Sequence, residues 1–138
     1  PEVEDDENEA IEVVTPATYY LKNGKHYIVY EEVVEGTSGV IKNRIKINGD
    51  ECVEIVKSGL SNSHMIFEKN KKNQTFYKTP YGQMLIGVNT RHLQVDFEED
   101  KIAVQIDYEL DVNHEPMADC KIRMNIVSKD SGKFSVLS

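Results

Sequence analysis

From residue 26 onward, apolar and polar positions alternate with a period of two. Ile102, Val104, Ile106, Tyr108 and Leu110 share one face, while Lys101, Gln105, Asp107, Glu109 and Asp111 share the other. Ala118, Cys120, Ile122, Met124 and Ile126 alternate with Asp119, Lys121, Arg123 and Asn125. Ile41, Ile45 and Ile47 alternate with Lys42, Arg44 and Lys46. Successive side chains of an extended strand point to opposite faces, so each segment predicts a half-buried antiparallel strand, dry on one side and wet on the other. Further strands are expected near 10–14, 17–21, 26–34, 51–57, 64–68 and 74–79. No window sustains a 3.6-residue apolar period, so no helix is expected.

Short polar segments separate these runs: KNGK at 22–25, EGTSG at 35–39, NGDE at 48–51, SGLSNS at 58–63, EKNKKN at 68–73 and EEDK at 98–101. Asn23-Gly24 and Asn48-Gly49 supply the positive φ that tight hairpin turns require. In Thr79-Pro80-Tyr81-Gly82, Pro in second place and Gly in fourth fit a type I turn closed by a glycine bulge. That segment is read as a hairpin corner and not as a reactive loop. Beyond it, Met84, Ile86 and Val88 form one apolar row, and Leu93, Val95 and Phe97 the next. The step from 88 to 93 is odd, so a bulge or bend near Thr90-Arg91-His92 is needed to turn both rows to one core.

Nine or ten sequence-adjacent strands, each apolar on one face, must close or cover their edges. An up-and-down barrel does this most simply, and a two-sheet sandwich is the alternative. The lack of long crossovers favours the barrel. The sequence thus predicts an all-β fold, a single antiparallel up-and-down β-barrel over residues 10–138, preceded by an acidic N-terminal arm over 1–9.

Charge sharpens that division. Residues 1–9 carry six acids and no base, so most of the formal net charge of −8 sits on the arm and the body is nearly neutral. A run of this kind reads as a solvated tail and argues against a phosphate-binding surface, which needs clustered Lys and Arg. No apolar run approaches the roughly 20 residues of a membrane span. The acidic start does not resemble a signal peptide. Cys52 and Cys120 fall in no C-x-x-C pair and are read as two reduced thiols of a cytoplasmic protein.

Catalytic patterns find no support. Ser58-Gly59 lacks the G-x-S-x-G elbow. Glu31-Glu32 and Glu98-Glu99 are adjacent on strands and so point to opposite faces, which keeps them from acting as an acid–base pair. His26, His64, His92 and His114 show no metal-ligand spacing, so no metal or cofactor is expected. Basic and aromatic residues are not interleaved as nucleic-acid binding requires. Neither an enzyme, a nucleic-acid binder nor a membrane protein is predicted.

Four segments, KHYIVYEE (25–32), VKSG (56–59), FYKTPYGQM (76–84) and DYEL (107–110), stand in an order and spacing that resemble the YwiB-like family of uncharacterised bacterial proteins. That family is similar in fold to the calycins, lipocalin-like β-barrels of eight or more strands. The resemblance covers about residue 10 to 128 and implies a calycin-like barrel in a bacterial cytoplasmic protein, without an activity. Family chains usually carry an additional strand ahead of the acidic segment, where this sequence begins. The barrel seam is then left open, filled by KFSVLS at 133–138, or paired across a homodimer. Lys57 also stands where the family tends to have Arg, and it lacks the planar fork of a bidentate anion contact.

Strand parity marks the candidate site. Ile28, Tyr30 and Glu32 share a face, as do Val53, Ile55 and Lys57, and Tyr77 shares one with Thr79. Glu32 and Lys57 are expected to turn into the barrel, with Tyr30, Tyr77, Thr79 and Tyr108 lining the same space. A few polar groups in an apolar barrel can orient one small apolar or amphipathic ligand. The competing view is an ion pair at the barrel end, or Glu32 in solvent with Glu31 inside. A non-catalytic binding module is therefore expected. The alternative is an interaction or structural protein with a filled barrel, acting through its outer face or an open strand edge.

Overall fold

The structure, a computed structural model, describes residues 12–129. Nine strands follow one another: β1 (Thr18–Lys22), β2 (Lys25–Val33), β3 (Val40–Asn48), β4 (Cys52–Gly59), β5 (Ser63–Glu68), β6 (Lys72–Thr79), β7 (Gly82–Phe97), β8 (Lys101–Val112) and β9 (Glu115–Val127). They form two antiparallel sheets in chain order, β1-β2-β3-β4-β5 and β6-β7-β8-β9. The all-β, antiparallel prediction from alternation holds, but a single closed barrel is not what the described ladders form. Among the described residues, β5 and β6 share no ladder, and β1 and β9 are each paired on one side only.

The break has a local cause. At the corner between β5 and β6, Lys69 N donates to Glu51 O, Lys71 N to Glu68 O, and Thr90 N to Lys71 O. The Glu68–Lys71 bond closes the turn itself, while Lys71 O is taken by Thr90 of β7 and Lys69 N by Glu51, so the corner is tied to β7 and to the β3–β4 turn.

The core fills the space between the sheets. Ile28, Ile45, Ile47, Val53 and Phe67 from the first sheet meet Val88, Leu93, Val95, Ile102, Val104 and Ile106 from the second. The Phe67 ring meets that of Tyr108 edge-on at 4.9 Å, a favoured aromatic geometry. The long strand β7 carries the expected bulge: Thr90 pairs with Tyr108 and His92 with Asp107, so Arg91 is the extra residue. Val88 and Thr90 before it, and Leu93 and Val95 after it, are all buried on the core side.

The turns divide into expected and unexpected ones. Asn23 and Gly24 both have positive φ, 53° and 76°, and close β1 onto β2. At β3–β4 only Gly49 takes positive φ, while Asn48 stays in the strand. Pro80-Tyr81 is the corner anticipated from sequence, with Gly82 at φ 124°. The β8–β9 hairpin turns on Asn113 and His114 at φ 50° and 71°, without the glycine that marks such a turn in a sequence. Of the strand expected at 10–14, residues 12–14 are not in a strand, with Val13 and Val14 exposed; the remainder lies outside the described residues, as does the acidic arm.

Candidate functional site

The site grows from three neighbouring strands of the first sheet. Tyr30 of β2 pairs with Asn43 of β3, and Asn43 pairs with Lys57 of β4, so these side chains share a face. Glu32, two residues beyond Tyr30, lies on that face as well, while Glu31 is exposed on the other. This is the inner face, continuous with Ile28, Ile45 and Val53.

Asn43 is the hub. Its Nδ2 donates to Glu32 Oε1 at 2.8 Å, and its Oδ1 accepts from Lys57 Nζ at 2.6 Å. Lys57 Nζ also donates to Glu32 Oε1 at 3.1 Å. Asn43 is buried, whereas the Glu32 and Lys57 side chains are each 35% exposed. The charges therefore stand where the interior opens to water, which avoids the several kcal/mol that full burial of an ion costs. The hydrogen bond from Asn43, followed by that from Lys57, lowers the Glu32 pKa below 4.5. Tyr30 is pushed above 10 by burial and then by the Glu32 charge.

The other expected site residues do not converge here. Tyr108, opposite Cys120 on β9, packs on Phe67 and is raised by burial and by Cys120. Tyr77 and Thr79 lie half-buried on β6, in the other sheet. The Thr79 hydroxyl donates to Gly82 O at 2.7 Å and accepts from Tyr81 N at 3.1 Å, so it holds the corner and does not line a ligand space. A short polar side chain next to a turn satisfies the turn's own backbone first.

Asn43 escaped the sequence reading, although its parity with Ile41, Ile45 and Ile47 places it on the inner row. Asp111 escaped it too. It is buried on the outer side of the second sheet and bound to Lys72 Nζ at 2.5 Å. Gly87, which pairs with Asp111, leaves room for this bridge: a Cβ there would lie 3.1 Å from Lys72 Cε and 3.2 Å from Asp111 Cβ.

Two hollows complete the picture. A polar groove of about 410 Å³ runs along Arg91–Asp96 below the bulge and is bordered by Asp50, Lys69 and Asn70. A slot of about 180 Å³ separates β5 from β6. Among the described residues, no group of three or more His, Cys, Asp and Glu side chains is arranged to hold a metal ion. Cys52 and Cys120 are free thiols.

Comparison with known proteins points in one direction. A family model described as a domain of unknown function, DUF1934, matches residues 2–124. The uncharacterized beta-barrel protein YwiB of Bacillus subtilis is 32% identical over 114 residues, covering 82% of this chain and 78% of that protein. The crystal structure of the ywiB protein from Bacillus subtilis superposes with a TM-score of 0.68 at 26% identity, over 91% of this chain and 85% of that one.

Proposed function

The chain belongs to the DUF1934 family, and from that premise we propose a non-catalytic binding module for a small amphipathic ligand, seated at the Glu32–Asn43–Lys57 end of the first sheet. The supporting observation is the incomplete use of the triad. Glu32 Oε1 takes both hydrogen bonds, and Oε2 has no partner among the described residues. An ammonium carries three donors, of which Lys57 uses two. One acceptor and one donor thus remain side by side at an opening to water. A head group with both functions, such as a carboxamide, complements them. An apolar body would lie along Tyr30 and Ile55, in the manner of a calycin-like carrier.

Native mass spectrometry of the gently purified protein tests this. The expected result is an added mass that is lost on denaturation and that diminishes in Lys57→Met and Glu32→Gln. Equal retention by these variants overturns the assignment of the triad. One feature favours the second reading, an interaction protein: the outer edge of β9 is unpaired among the described residues, and Met117 and Val127 on that strand are 62% and 63% exposed. A bare homodimer in the same spectrum, with β9 protected from hydrogen exchange, would replace the binding module by that reading.

A further inference from the structure

We infer that the slot between β5 and β6 is a second, separate ligand site, matched to a small neutral molecule that presents a carbonyl oxygen, with small cyclic amides as its chemical class. Three independent features converge on it. The first is topological: β5 bonds only to β4 and β6 only to β7, so the facing edges carry peptide groups that no described strand satisfies. The second is volume. At about 180 Å³ the slot is comparable to an engineered apolar cavity of about 150 Å³ that holds benzene. A ring of about six to eight heavy atoms fits it. The third is an orphaned donor. Asn73 lines the slot, and its Nδ2 is buried without an acceptor among the described residues. A buried donor left without its hydrogen bond is unfavourable, and a carbonyl oxygen would supply the partner.

The lining also selects against charge. Met65, Ile66 and Val88 give apolar walls, and among the described residues no Lys, Arg, Asp or Glu lines the slot. His64, at the β5 side, is bound to the Glu54 carboxylate. An anion would therefore lose its hydration without gaining a counter-charge, and a cation would fare no better. A lactam keeps its ring against the apolar walls, gives its oxygen to Asn73, and can offer its N–H to an edge carbonyl.

The experiment is a titration of the isotope-labelled protein with δ-valerolactam, read by NMR at the Asn73 side-chain amide and the Val88 methyls. Saturating shifts at these groups, with half-saturation in roughly the low millimolar range expected of a seven-heavy-atom ligand, support the site. Asn73→Leu should weaken binding at least about tenfold while leaving the melting temperature equal or higher, because it removes a buried donor that had no acceptor. Thr75→Phe, entering from the edge strand β6, should abolish saturation by filling the slot. Shifts that grow linearly, or that saturate alike in wild type and Asn73→Leu, overturn the inference. Lys57→Met should leave the lactam titration unchanged, so failure of the triad and failure of the slot can be told apart.

Discussion

Replacing buried Asn43 by leucine exchanges an amide for a larger apolar side chain of the same branched shape and removes the hub between Glu32 and Lys57. Hydrogen bonds to charged groups contribute about 1.5–3 kcal/mol each, so losing two costs about 3–6 kcal/mol gross. Burying leucine returns about 1.5–3 kcal/mol. Glu32 and Lys57 are each 35% exposed, keep their mutual contact and can turn to water, which places the net loss in the lower half of what remains, about 1–2 kcal/mol. For a chain of this length, roughly 3–5 °C of melting temperature accompanies each kcal/mol. The chain has no tryptophan, so urea unfolding is best followed by far-UV circular dichroism, comparing midpoint and m value. A cycle with Lys57→Met should show coupling of at least about 1 kcal/mol. The acid limb adds a second readout. Asn43 and Lys57 hold the Glu32 pKa below 4.5 in the folded state, so the unfolded chain binds that proton first. The associated stability is present above 4.5 and is lost as pH falls through the folded value. Asn43→Leu should flatten that loss. A variant as stable as wild type, additive with Lys57→Met and with an unchanged acid limb, would refute the triad as a coupled unit.

Gly59→Ala should destabilise by more than about 3 kcal/mol, because φ is +106° and the new Cβ would sit 2.5 Å from Val40 O. Gly24→Ala, at φ +76° with no described residue within 4 Å of the new Cβ, should cost only about 1 kcal/mol, and denaturant midpoints compare the two. His114→Gly should stabilise by about 0.5–1 kcal/mol in the same assay, since the residue holds φ 71° in a two-residue hairpin turn. No gain would mean that the histidine side chain compensates its backbone. His26 is lowered by burial, with its ring against Phe97 and its Nδ1 hydrogen-bonded to the Tyr19 hydroxyl. Its NMR titration should have a midpoint below 6.5. The folded state disfavours the imidazolium, so this contribution to stability is present above 6.5 and is lost as pH falls through the folded midpoint. A midpoint above 6.5 would contradict the burial.

The strands were legible because each buries one face: the period-two pattern of β8 and β9 carries that burial directly. The bulge was legible as a parity conflict between Val88 and Leu93. The split into two sheets was not, since whether β6 pairs with β5 depends on what Lys69 and Lys71 bond to, and backbone groups are alike in every sequence. In the site, parity puts Glu32, Lys57 and Asn43 alike on the inner face, but that Asn43 bonds both charges became visible only once its two partners were in place. Thr79 shows the converse limit. Parity gave its row, while its hydroxyl served the turn beside it.

Because every described ladder joins strands adjacent in the chain, each ladder can form in the order in which its strands are synthesised. Once Glu68 has left the ribosome, all five strands of the first sheet can pair, and none awaits a distant partner. Its inner face, with Ile28, Ile45, Val53 and Phe67, then stays uncovered until Leu93 to Ile106 follow. At about 5–20 residues per second that interval lasts a few seconds. A nascent chain paused within it would hold out a finished but half-wet sheet, the form of this protein most prone to stick to its neighbours and most in need of a chaperone.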